Sequence, residues 1–61
     1  MKKKTRIRKE LEDLNFKIEK LNNFIEKNDT FKTIDLEEQE LLKEQREIMN
    51  KYANILRKRI K

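Results

Sequence analysis

Residues 7–25 read IRKELEDLNFKIEKLNNFI. Ile7, Leu11, Leu14, Ile18, Leu21 and Ile25 follow one another at spacings of 4, 3, 4, 3 and 4. At 3.6 residues per turn these six side chains fall within about 80° of one another. Such a stripe of Ile and Leu is a heptad seam, and it predicts an amphipathic helix over about 5–27. Phe24 widens the stripe on one side, and Phe16 points the opposite way.

The seam stops at residues 28–35, NDTFKTID. Asn28 suits a helix C-terminus because asparagine tolerates the left-handed conformation. Asp35 suits the next N-cap, and Glu38 three residues on completes a capping box. Phe31 and Ile34 are apolar and are expected to plug the turn. A second helix is predicted over about 36–60. Its apolar residues Leu41, Leu42, Ile48, Met49, Tyr52, Ala53, Ile55, Leu56 and Ile60 spread over about 160° of the helical wheel. That is wider than one partner helix covers. The expected fold is therefore all-α: a single antiparallel two-helix hairpin that assembles into a homo-oligomeric helical bundle. Phe16, Ile48, Met49, Tyr52 and Ile55 are the expected oligomer contacts.

Composition supports this reading. Charged residues form 48% of the 61-residue chain, which alone would suggest disorder, yet the apolar residues are periodic and there is no Gly or Pro to break a helix. So short a chain buries a small core and commonly needs a supplement. With no Cys and no His, disulfides and zinc are ruled out, and self-association is left. No apolar run reaches the roughly 20 residues of a membrane span, and no signal peptide is visible. The cytosol is the expected location.

The charges are sorted along the chain. Residues 1–9 hold six Lys or Arg and no acid, and residues 57–61 hold four and no acid. Residues 10–56 hold seven bases and twelve acids, a balance of −5. Folding back once brings the two basic ends together as one pole, suited to an anionic partner. Thr5 is a candidate N-cap for the first helix. The lysines and arginines around it crowd the positive end of the helix dipole, so this start is expected to fray and to welcome an anion.

Enzymatic chemistry is poorly supported, because the nucleophile elbows and phosphate loops of catalytic motifs need Gly, His or Cys. The acidic pairs Glu37 and Glu38, or Glu40 and Glu44, read as a solvated helix surface rather than a metal site. No catalytic residue, metal or cofactor is expected. The basic pole has three readings: a solvated end, a nucleic-acid contact, or a site for a compact phosphorylated ligand. A long duplex would meet the acids that begin at Glu10, which weakens the second. For a compact anion, Arg57 and Arg59 are the expected phosphate ligands, with Arg6, Arg8 and Lys9 closing from the facing helix end. Tyr52, about two turns deeper, is the candidate for stacking on a base.

From residue 24 onward a wider pattern stands out. It runs Phe24-Ile25, Phe31, Ile34-Asp35, Glu38-Gln39, Leu41-Leu42, Glu44-Gln45, Met49, Tyr52, Leu56 and Arg59-Ile60. This resembles the small helical-hairpin family of phage proteins related to anti-CBASS protein 2 and to the hairpin of Thoeris anti-defence protein 1. The resemblance implies an oligomeric phage protein of the host bacterial cytoplasm. It would act as a sponge that holds a nucleotide second messenger of bacterial immunity, of the cyclic oligonucleotide or ADP-ribose type, without cleaving it. Two other functions stay open from the residues alone: an interaction protein that inhibits or scaffolds a protein partner, and a small basic nucleic-acid binder.

Overall fold

In the computed structural model the backbone is described from residue 2 and the side chains from residue 5, both to residue 61. The side chains of Lys2, Lys3 and Lys4, counted above in the basic pole, lie outside the described residues. Helix α1 spans Lys2–Lys27, a single turn α2 spans Thr30–Thr33, and helix α3 spans Leu36–Ile60. Thr5 therefore sits inside α1 and is not its N-cap. The molecule is a rod of 46 × 16 × 12 Å made of α1 lying against α3.

The heptad seam of α1 supplies one side of the core. Leu14 and Ile18 are buried, and they meet Ala53 and Leu56 of α3, both of which are 0% exposed. Ile7, Leu11 and Met49 pack against this cluster and are partly covered. On α3 the covered positions step through Leu42, Arg46, Met49, Ala53, Leu56 and Ile60, at spacings of 4, 3, 4, 3 and 4. Two matched heptad seams thus close on each other, antiparallel. Of the neighbouring pair Leu41 and Leu42, only Leu42 is on this face; Leu41 is 52% exposed.

Two polar straps hold the register along one flank. Arg46 Nη1 of α3 donates to Asn22 Oδ1 at 3.1 Å and to Glu26 Oε2 at 2.8 Å on α1. Arg57 Nη2 donates to Asn15 Oδ1 at 3.3 Å, and its Nη1 to Asn54 Oδ1 at 2.9 Å. Arg46 and Arg57 are eleven residues apart, as are Asn15 and Glu26. Eleven residues is close to three helical turns, so both straps sit on one flank and specify the same alignment.

The turn differs from the expected loop. It contains the helical turn α2, whose Phe31 is buried and meets Phe24 edge to face, with ring centroids 5.8 Å apart at 83°. Phe31 thus plugs the turn as anticipated, while Ile34 is half-buried, and the short helix and the Phe24 contact are additions. Asn28 is not in the left-handed region, since no described residue has positive φ. Its side chain instead accepts the Thr30 N–H at 2.8 Å, and its carbonyl accepts the Phe31 N–H at 3.1 Å. An Asx turn of this kind starts α2 directly and makes a left-handed residue unnecessary. Asp35 occupies the N-cap position of α3 without a side-chain capping bond. The entry is fixed by Gln39, whose Nε2 donates to the Ile34 carbonyl at 2.9 Å. Glu37 and Glu38 still place negative charge in the first turn, where the dipole favours it.

Two stability predictions follow from the seam and the straps. Leu56→Ala empties a fully covered site and is expected to cost about 2–5 kcal/mol, read as a fall in the urea midpoint; a midpoint unchanged within error would refute the assigned core. Arg46→Ala removes two interhelical bonds, the one to Glu26 largely solvent-screened, so a smaller loss of about 1–2 kcal/mol is expected. Most of that loss should survive in molar salt, because the bond to neutral Asn22 is not an ion pair.

Candidate functional site

The antiparallel hairpin brings the N-terminal turns of α1 beside the C-terminal turns of α3. Arg6, Ile7 and Glu10 of α1 and Arg59 of α3 line one open groove at this end. Residues 6 and 10 share a face because they are one helical turn apart. Neither Arg6 nor Arg59 has a hydrogen bond or an ion pair among the described residues. Both guanidinium groups are exposed and have their donors available.

The other candidate ligands are divided from this pair. Arg8 lies on the strap flank, in a shallow depression with Leu11, Glu12 and Asn15. Arg57 is on that flank too, held by Asn15 and Asn54. Lys9 points to solvent and sits 3.7 Å from Asp13, an exposed pair worth little energetically. The pole is therefore two sites back to back: Arg6 with Arg59 on one flank, and Arg8 with Arg57 around Asn15 on the other. Tyr52 is seven residues before Arg59, which puts it on the same face about 10 Å along the axis. It is 39% exposed.

Two participants were not singled out from the sequence. Glu10 places a carboxylate in the Arg6–Arg59 groove, and Asn15 organises the Arg8–Arg57 flank. Helical spacing was the available signal for both, since Glu10 is four residues after Arg6 and Asn15 seven after Arg8. In chemical terms the first groove offers two planar cations and one carboxylate beside the apolar Ile7. Such a set can hold phosphate oxygens on the guanidinium groups while the carboxylate accepts from a hydroxyl or amine of the same ligand.

The expected oligomer contacts are likewise sorted. Ile48, Tyr52 and Ile55 stand exposed on α3, at 57%, 39% and 53%. Met49 is turned into the seam of its own hairpin. Phe16 is 58% exposed on the outer face of α1, and the Lys20 ammonium lies 4.6 Å from its ring centroid. That cation–π contact gives Phe16 a local role within one chain. The structure does not bring Phe16 together with the exposed residues of α3.

Among the described residues no helix is long and apolar enough to cross a membrane. Neither the curated proteins nor the solved structures contain a match to this sequence. The model of one protein family does match, and it does so across residues 1–61, from the basic start through the heptad seam and turn to the basic end. This chain belongs to the Sequestin family.

Proposed function

We propose that this protein is a phage anti-defence sponge, which captures a nucleotide second messenger of bacterial immunity in the host cytoplasm and holds it uncleaved. The observation that carries the reading is the meeting of Arg6 and Arg59, neither with a partner among the described residues, at one groove of a chain whose family is named for sequestering. The ligand class is a cyclic oligonucleotide or an ADP-ribose derivative. Its phosphates would lie against the two guanidinium groups, and Glu10 would face a ribose hydroxyl or a base amine. Binding without chemistry suits the site, which offers no histidine or cysteine as nucleophile or proton shuttle. The protein acts as a homo-oligomer in this reading.

A duplex nucleic acid fits less well. Glu10, Glu12 and Asp13 follow the basic start within one turn and would oppose an extended phosphate backbone.

Calorimetric titration with cyclic di- and trinucleotides and with cyclic ADP-ribose isomers tests the proposal. One ligand should bind saturably at micromolar concentration or tighter and be recovered intact after denaturation. Arg57→Glu/Arg59→Glu should abolish that binding with the helical signal retained. The single variants should separate: Arg59→Glu or Arg6→Glu each loses about 10–100-fold, as expected for a charge-assisted bond of about 1.5–3 kcal/mol. Lys9→Glu loses far less. Absence of heat with every nucleotide, together with steeply salt-dependent DNA binding, would overturn the sponge reading in favour of a nucleic-acid contact.

A further inference from the structure

Leu41, Ile48, Tyr52 and Ile55 are exposed by 52%, 57%, 39% and 53%, although they are large and apolar. Together with Gln45 they repeat at spacings of 4, 3, 4 and 3. Each of Leu41, Ile48, Tyr52 and Ile55 immediately precedes a residue of the covered seam: Leu42, Met49, Ala53 and Leu56. Helix α3 thus carries two parallel heptad seams, about 100° apart around its axis. One is closed by α1. The other runs open for fourteen residues, about 21 Å.

We propose that this second seam pairs with the same seam of a second copy, with the two α3 helices antiparallel. The inference rests on the self-association proposed above and adds its face and its direction. The occupant follows from what the hairpin can offer. Outside this stripe the exposed large apolar residues among those described are Leu36, at the start of α3, and the isolated Phe16. Neither forms a seam, so the outer face of α1 cannot match fourteen residues of heptad. A second α3 matches it by identity, and a twofold axis makes such a contact self-complementary.

Charge sets the direction. Residues 36–47 hold five acids, Glu37, Glu38, Glu40, Glu44 and Glu47, against two bases. Residues 48–61 hold five bases, Lys51, Arg57, Lys58, Arg59 and Lys61, and no acid. A parallel pair lays acids on acids and bases on bases. An antiparallel pair lays each acidic half along a basic half and also opposes the helix dipoles. Glu44, Lys51 and Lys58 share the edge beside the seam at heptad spacing and become the facing residues of the two helices.

The pairing has a consequence for the candidate site. Arg59 continues the open seam four residues beyond Ile55, so the Arg6–Arg59 groove gains a wall from the acidic half of the second α3, whose carboxylates, like Glu10, accept from ligand hydroxyls and amines while the phosphates stay on the guanidinium groups. The two grooves of the dimer then lie at opposite ends. Tyr52, mid-seam, is covered by the second copy and is a packing residue first.

The chain lacks cysteine, which makes cross-linking clean. Lys58→Cys and Glu44→Cys alter exposed positions only. Sedimentation of the unmodified chain should give twice the monomer mass, and Ile48→Glu should return it to the monomer with helix retained. A mixture of Glu44→Cys and Lys58→Cys proteins treated with a short bismaleimide should give the mixed dimer by mass. Lys58→Cys alone should stay unlinked, because either antiparallel register one heptad apart holds that residue about 20 Å or more from its own copy. A dimer in which Lys58→Cys links to itself would overturn the direction. A monomeric wild type, or a dimer that survives Ile48→Glu, would overturn the pairing itself. Loss of nucleotide binding with the mixed link intact would instead count against the sponge reading and leave the pairing standing.

Discussion

The narrow Ile and Leu seam of α1 is the constraint on which this molecule depends. It spans about 80° and can cover only one stripe of the helix opposite. On α3 it covers Ala53 and Leu56 completely and leaves Ile48 and Ile55 more than half exposed. The choice between these adjacent stripes fixes the rotation of α3. It places Arg59 on the open flank and Arg57 on the strap flank. The division of the basic pole into two sites is therefore a result of hydrophobic packing, and the polar straps report the same rotation from the other side.

The straps also show how a chain with nearly half its residues charged keeps one alignment. Heptad seams of Ile and Leu tolerate sliding by seven residues with little change in apolar contact. Arg46 alone tolerates one such step, because Asn15 and Glu19 repeat its acceptors Asn22 and Glu26 seven residues earlier. Arg57, three turns away, does not, because the same step carries it from Asn15 to the like charge of Arg8. Polar contacts of this kind add modestly to stability and more to uniqueness. The phenylalanine pair at the turn closes the opposite end, where the open ladder of a hairpin would otherwise fray.

Much of this was legible in the residues. The spacing of Ile7 to Ile25 marks the first helix, the NDTFKTID stretch marks the reversal, and the excess apolar width of the second helix appears as the exposed Leu41, Ile48, Tyr52 and Ile55. What escaped was the division of that width. Leu41 and Leu42, Ile48 and Met49, and Ile55 and Leu56 are adjacent apolar pairs, and periodicity alone does not say which member faces α1. Only the docked seam decides it, which is why Met49 stands among the expected oligomer contacts and is found inside the hairpin. The capping details escaped for a similar reason. Asn28 and Asp35 have the composition of left-handed C-cap and N-cap residues, yet Asn28 forms an Asx turn, and the entry to α3 is held by Gln39 donating to the Ile34 carbonyl, a different backbone group from the N–H an Asp35 cap would accept. The division of the basic residues followed from rotation as well, so the sequence could gather Arg6, Arg8, Lys9, Arg57 and Arg59 at one end but not assign them to flanks.

The dimensions of the hairpin then limit where any ligand can be enclosed. Its thinnest extent is 12 Å, about the width of a single helix with its side chains. A helix pair this thin offers surfaces and grooves around its packed seam, whereas tight small-ligand sites bury most of the ligand. In the proposed function, Arg6, Glu10 and Arg59 would hold one side of a nucleotide and leave the other in water. Strong retention, which a sponge requires because it does not consume its target, needs a second wall. Among the described residues, the open seam of α3 runs toward that groove, with Arg59 four residues beyond its last member Ile55. Enclosure of the ligand and closure of the seam thus ask for the same thing, a second copy. Under the proposed pairing the apolar stripe and the basic groove are not separate features of the surface, because the first would assemble the second.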